Sequence, residues 1–165
     1  MYWFTGDEHL GHANILKYCN RPFSNTTEMD NEIIRRHNEV VGANDTVIHA
    51  GDFSLKHDVS NYLQCLAGKN VFLKGSHDYW GKDLNLSYLF EKHIEGIYVV
   101  VCHYCMRTWP RSFHGSIQLF GHSHGKLQDL ENQYDVGVDN NDFYPVSLKT
   151  ILQKIDYADD KQRFR

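Results

Sequence analysis

Aspartate and histidine recur along this sequence at short spacings, usually beside glycine. The blocks are Asp7-Glu-His9, Gly51-Asp52, Gly75-Ser76-His77-Asp78, His103 and Gly121-His122-Ser-His124. Carboxylate oxygen and imidazole nitrogen are donors that suit Mn, Fe and Zn. A carboxylate has two oxygens, so it can bridge two cations. Cations bridged at roughly 3.5–4 Å can bind both non-bridging oxygens of a phosphoryl group, and they bring the pKa of a bound water toward ~7. Two ligand carboxylates set against two divalent cations leave such a site positive, which suits an anionic substrate. Each block alone is a weak signal. An Asp-x-His is an ordinary surface pair, a Gly-Asp is an ordinary turn, and a lone histidine is most often semi-buried and satisfied. The chain has 11 histidines, and they do not form a tract.

The weight of the series comes from the elements that must carry it. Short runs rich in Val, Ile and aromatics predict strands over 1–5, 46–50, 71–74, 97–102 and 117–120, with weaker candidates at 134–138 and 93–94. Each of the five stronger strands is followed at once by one of the blocks. Between them lie helical patterns over 28–41, 59–67, 84–91 and 148–155. The first has Thr26 or Thr27 as its cap and Gly42 as its end, and the last carries a Leu148, Ile151, Leu152, Ile155 stripe behind a Ser147 cap. These stripes read as core packing. Strands alternating with helices imply an α/β fold with a largely parallel sheet. In such sheets ligands bind at the carboxyl ends of the strands, where the blocks fall. Gly51, Gly75 and Gly121 remove side chains where the backbone turns beside them.

The chain has 165 residues, which predicts one domain over 1–165, with the highly charged 156–165 as a fraying tail. A net charge of −4 gives no basic field for tight nucleic-acid binding. No apolar run approaches the ~20 residues of a membrane span, and the opening residues lack a signal-peptide core. A cytoplasmic location follows by default. The four cysteines then read as reduced thiols. Cys102-His-Tyr-Cys105 matches C-x-x-C, but it follows a strand and has no second pair, so a redox or structural zinc role is disfavoured.

The five blocks in order, from Asp7 to His124, resemble the signature of the calcineurin-like metallophosphoesterase superfamily: Asp-x-His, Gly-Asp, Gly-Asn-His-Asp/Glu, a His, then Gly-His-x-His. The small single-domain bacterial and phage members are the nearest likeness, and the stretch from Asp135 to Asn141 with Tyr144-Pro-Val-Ser adds to it. The resemblance implies a sandwich of two mixed β-sheets flanked by α-helices in four layers. It implies two divalent ions (Mn, Fe, Zn or Ni), one held by Asp7, His9 and His124, the other by His103 and His122, with Asp52 bridging. His77 would protonate the leaving oxygen, and Asp78 would orient His77. Ser76 stands where the family has Asn, so it takes the place of a ligand to the second metal with a shorter, weaker donor.

The implied activity is hydrolysis of a phosphomonoester or phosphodiester by attack of a metal-bound hydroxide on phosphorus. The expected substrate is a small phosphate ester or a nucleotide, with manganese a natural cofactor and no membrane partner. Arg107, shortly after His103, is the candidate phosphate contact. Arg21, His12 and Asn14 are weaker handles, and Trp80, Trp109 and Tyr104 could stack on a base, though packing is the simpler role for them. Two alternatives stand beside this reading. One is a small nuclease, which the acidic balance disfavours. The other is a metal-binding scaffold of the same fold with weakened catalysis, as the retromer subunit is. Ser76 is the feature that favours the scaffold.

Overall fold

The computed structural model describes residues 1–128 and 130–155. The tail expected at 156–165 lies outside the described residues. Eight strands form two four-stranded mixed sheets, and four α-helices accompany them. In the first sheet β1 (Tyr2–Thr5) lies between β2 (Thr46–His49), which is parallel to it, and β8 (Val146–Ser147), which is antiparallel; β3 (Lys69–Phe72) adds parallel to β2. In the second sheet β4 (Leu89–Ile94) pairs antiparallel with β5 (Ile97–Cys102), then β6 (Ile117–Phe120) and β7 (Gln133–Asp135) follow in parallel. This is the two-sheet α/β architecture expected above.

Alternate residues of the two sheets meet in one apolar layer. Phe4 and Ile48 come from the first sheet, Val99, Val101, Ile117 and Leu119 from the second, and all are buried. The period-2 alternation of β5 and β6 puts Gln118 on the opposite face, where it is buried and bonded to Tyr104 O and Met106 N. A second cluster lies on the other side of the first sheet, where Met29 and Ile33 of α2 (Thr26–Val40) meet Leu10, Phe53 and Phe143. Helix α2 starts one residue earlier than a Thr26 cap implies and two earlier than a Thr27 cap implies. Asn25 is its cap, accepting from Glu28 N, while the Glu28 carboxylate accepts from Ser24 N. Helix α4 (Leu148–Lys154) has the expected Ser147 cap, bonded to Thr150 N at 3.2 Å. Helices α1 (Ile15–Tyr18) and α3 (Ser60–Cys65) are short.

One expected helix is absent. Residues 84–91 form no α-helix; a 3-10 turn over Tyr79–Leu84 stops at Asn85, which has a left-handed backbone, and β4 begins at Leu89. The weak strand at 93–94 is the end of β4. Its partner explains the preference. The two-residue turn Glu95-Gly96, both at positive φ, folds β4 directly onto β5 with Ile94 opposite Ile97. Pairing along a whole neighbouring strand outweighs the helical spacing of three or four apolar residues.

The carboxyl ends of the parallel strands in both sheets come together. Beyond β1 and β7 a parallel bridge joins Gly6 to Gly137, and Val138 N donates to Gly6 O at 3.0 Å. The loops that carry the Asp and His blocks therefore leave the two sheets side by side.

Candidate metal centre

The first loop, after β1, delivers Asp7 and His9. Asp7 N donates to Gly51 O and His9 N to Asp52 O, so this loop is laced to the one that follows β2. That second loop carries Asp52. The turn at Gly51 has φ +99, and a Cβ there would lie 2.7 Å from Gly75 N and 2.8 Å from His103 Nδ1. At Gly75 a Cβ would collide with Asp52 Oδ1 at 2.2 Å. Glycine at both positions lets two backbones close around the Asp52 carboxylate. Residues 75–78 follow β3, His103 follows β5, and His122 and His124 follow β6.

Two triads result. Donor atoms of Asp7, His9 and His124 all lie within 4.8 Å of one another, and so do those of Asp52, His103 and His122. Asp52 Oδ2 sits between the triads, 3.6 Å from His9 Nε2 and 3.3 Å from His103 Nε2. This is the position of a shared ligand. Ser76 lies against it, its hydroxyl donating to Asp52 Oδ2 at 3.0 Å. Asp7, His9, Asp52 and His103 are buried, while His122 is exposed, so the centre is open on one side.

The donor atoms fit a cation. Among the described residues, Asp7 Oδ1 and Oδ2, His9 Nε2 and His103 Nε2 are buried polar atoms with no hydrogen-bond partner. Such atoms cost roughly 1–3 kcal/mol each when left unsatisfied, and here they converge from two triads. The rings are also turned for ligation. His103 Nδ1 donates to Ala50 O at 3.0 Å and His124 Nδ1 to Asp139 Oδ2 at 2.7 Å, which leaves Nε2 of each ring to face inward.

Burial dominates the electrostatics. It pushes the Asp7 carboxyl up to about 7, against the opposing pull of His124 and His103. It pushes His9 down to about 3, despite Asp52. Burial would also raise Asp52, but the neighbouring His103, the His77 N–H and His9 hold its carboxyl well below the usual range. Asp52 therefore stays anionic between the triads. Asp7, raised to about 7, shares its proton near neutral pH.

Several residues around the triads were not singled out by their types. Arg21, weighed above as a handle on substrate, is a buried clamp. It donates to Asp7 O at 2.6 Å and Glu8 O at 2.8 Å, and forms a two-point ion pair with Asp139 at 2.8 Å on each oxygen. Asp135 accepts from Ser123 Oγ, Gly125 N and Gly137 N, holding the loop of His122 and His124. Behind the first loop, Glu8 pairs with His49 at 2.6 Å. Cys19, His124 and Asp139 also lie close together. There, however, the Arg21 guanidinium already neutralises Asp139, and this carboxylate serves as acceptor for His124.

One expectation changes. Asp78 does not orient the His77 ring: both its oxygens are occupied by the backbone N–H groups of Asp52, Phe53 and Gly75 and by Trp80 Nε1, so it fixes the Asp52 loop. Arg107 is exposed. Beyond His103, Met106 N is held by Gln118 and Met106 O by Gln133. Trp80 packs on Phe53 and Phe72, the simpler of the two roles weighed for it. Cys102 and Cys105 enter neither triad; Cys105 Sγ lies 3.7 Å from Gln133 Oε1.

His77 stands where the series of blocks places it. Its N–H donates to Asp52 Oδ1 at 2.8 Å, and its half-buried ring lies 5.4 Å from that of His9 and 6.1 Å from that of His12. The chain belongs to one family with an archaeal protein, and solved structures share its fold. The protein MJ1445 of Methanocaldococcus jannaschii, itself uncharacterized, is 32% identical over 165 residues, covering 93% of this chain and 90% of that one. A crystal structure of the Aquifex aeolicus protein AQ665, of unknown function, superposes with a TM-score of 0.72 at 19% identity, covering 93% of this chain and 98% of that chain. A single-mutant form of Vps29 from Entamoeba histolytica superposes with a TM-score of 0.50 at 18% identity, covering 82% of this chain and 72% of that chain. No protein-family model matches the sequence. The chain carries two groups of Asp and His donors that could hold metal ions. Among the described residues no helix is long and apolar enough to cross a membrane.

Proposed function

We propose that the protein is a metal-dependent phosphoesterase acting on a phosphomonoester or phosphodiester. One observation carries this reading: Asp52 Oδ2 lies within 3.6 Å of His9 Nε2 and 3.3 Å of His103 Nε2, tying two open-sided ligand triads into one centre. Asp7, His9 and His124 would hold one divalent cation and His103 and His122 the other, with Asp52 shared; this donor set suits Mn, Fe, Zn or Ni. Two such cations would supply positive charge for phosphoryl oxygens and a water acidified toward pH ~7.

The chain's own residues do the rest. Asp78 fixes the backbone of the Asp52 loop, and Arg21 fixes that of the Asp7 loop. Burial of Asp7 and His103 keeps bulk water from the rear of the centre, and His122 leaves the front accessible. His77, tethered by its N–H to Asp52, places an imidazole at the mouth, where it can pass a proton to the departing ester oxygen. Ser76 approaches the second triad only through its bond to Asp52, so a ligand role for it rests on movement of its hydroxyl.

The test is hydrolysis of bis(4-nitrophenyl) phosphate and of 4-nitrophenyl phosphate with added Mn²⁺, beside Asp52→Asn. Metal-dependent turnover in the parent and its loss in the variant are expected. The binding-scaffold reading is favoured by Ser76, where the superfamily pattern has Asn. A protein that takes up two equivalents of metal and hydrolyses neither ester would establish that reading instead.

A further inference from the structure

A recess of about 580 Å³ opens beside the second triad. Ser76 and Tyr104 form the wall it shares with the centre. Ser76 Oγ donates to Asp52, and the Tyr104 ring stands edge-on to both His103 and His122 at 4.8 Å between centroids. Tyr79, Tyr88, Lys74 and Lys82 also line it, with Gly75 and Asp78. The three tyrosines are exposed, at 59%, 58% and 43% for Tyr79, Tyr88 and Tyr104. Three large rings around one opening form a patch of the kind that marks a binding site, unlike single exposed apolar residues.

Charge singles out the same place. The chain carries −4 overall, yet two lysines line this recess. The carboxylate on its wall, Asp78, is buried and turned inward to backbone N–H groups. Lys74 Nζ lies 5.3 Å over the Tyr88 ring, so cationic and aromatic groups are interleaved. Exposed aromatic faces stack on nucleobases whatever the base, and lysines pair with phosphate. The volume lies in the usual range for a small-molecule pocket, roughly 300–1,000 Å³.

We propose that this recess binds the nucleoside part of the substrate, so that the protein acts on nucleoside phosphates: the base stacks among Tyr79, Tyr88 and Tyr104, and a further phosphate meets Lys74 and Lys82. This assignment rests on the phosphoesterase reading for its reaction, though not for its binding. It also gives Ser76 a use, since a small side chain there leaves the passage between the recess and the metal centre open.

Two measurements separate the recess from the chemistry. The first compares thymidine 5′-(4-nitrophenyl) phosphate with methyl 4-nitrophenyl phosphate, which share a scissile bond and differ by the nucleoside. The thymidine ester should be preferred in kcat/KM by about tenfold or more, chiefly through KM, as expected for one stacked base. That preference should collapse in Tyr88→Ala and in Tyr79→Ala. The second is equilibrium binding of ADP to the metal-free protein, which should weaken by about tenfold in Tyr88→Ala and again in Lys74→Met/Lys82→Met. A 5′-phosphorylated tetranucleotide, titrated alongside, distinguishes a strand end from a free nucleotide by which binds more tightly. If neither ester is hydrolysed but ADP binds and the variants weaken it, the recess stands and the phosphoesterase reading falls. Equal turnover of the two esters, or ADP binding that is absent or unmoved by the variants, would overturn the recess assignment.

Discussion

Arg21 is buried and holds four oxygen acceptors at once: the carbonyls of Asp7 and Glu8 and both oxygens of Asp139. Replacing it with Met keeps most of its aliphatic volume and removes the charge. Breaking one side of a buried ion pair costs about 3–5 kcal/mol, because the remaining charge is stranded. Asp139 keeps one partner, His124 Nδ1 at 2.7 Å, which favours the lower end. Two carbonyls also lose their donors. A loss of about 3 kcal/mol is therefore expected for Arg21→Met, equal to a fall of roughly 6–12 °C in Tm for a chain of this size. The loop it held carries Asp7 and His9, so metal affinity at the first triad should also drop, by about 10–100-fold, as for other outer-shell changes. Thermal melts in chelator give the first quantity, and competition with a metal indicator gives the second. Arg35→Met is the control. Arg35 bonds to two carboxylates, Glu32 and Glu39, but in solvent, and its loss should barely move the melt. If Arg21→Met melts with Arg35→Met, or binds metal as the parent does, the clamp reading is refuted.

Asp52→Asn should lose both metals or nearly so, since the amide cannot supply the anionic charge shared by the triads; two full equivalents by elemental analysis would contradict the shared position. His77→Ala should retain its metals and lose about 10²–10⁴-fold in rate, less with acidic leaving groups; an equal loss for ethyl and nitrophenyl esters would remove His77 from proton transfer. In the metal-free protein Asp7 is raised to about 7, so between pH 4 and 7 the folded state holds a proton that the unfolded state has released. Its contribution to stability must then fall as pH rises through that window. Because His9, lowered to about 3, pulls the other way, the quantity to follow is the Tm of the parent minus that of Asp7→Asn in chelator; a difference that is flat from pH 4 to 7 would show Asp7 to be ionised throughout. Ser76→Asn extends a carbonyl oxygen past the present hydroxyl and should lower the Mn²⁺ concentration at half-maximal activity; an unchanged midpoint would place residue 76 away from the ligand position.

What the sequence made legible was local. Ligand blocks one to four residues long sit directly after strands, and their residue types declare their chemistry, so Asp7, His9, Asp52, His103, His122 and His124 could be read together. The groups that hold them could not. Arg21 and Asp139 are 118 positions apart, and Glu8 and His49 are 41 apart. Nothing in an isolated Arg or Asp announces such a contact before the fold brings it about. Asp135 had one faint signal, a carboxylate inside the weakly expected strand over 134–138. Asp78 shows the complementary failure: the motif located it, while its partners, backbone N–H groups of another loop, were invisible. The lost helix at 84–91 has the same cause, because β4 is decided by its pairing with β5 across Glu95-Gly96 and only weakly by its own apolar spacing.

Backbone conformation ties these holding groups to the ligands. Asp7, His9, Asp52, His122 and His124 all have φ between 50° and 67°, in the left-handed region. For residues bearing a Cβ that region costs about 1–2 kcal/mol each, although Asp and His tolerate it better than most. Even discounted, five such residues carry strain that is large beside the roughly 5–15 kcal/mol by which a domain is stable. Each strained loop has its own buried charged group bonded to its backbone or to its intervening side chains. Arg21 takes the carbonyls of the Asp7 loop, Asp78 the N–H groups of the Asp52 loop, and Asp135 the Ser123 hydroxyl and Gly125 N–H of the His122–His124 loop. The triads are therefore shaped before any cation arrives. The left-handed turns bring neighbouring ligands onto one centre, and the network that enforces those turns lies one layer behind.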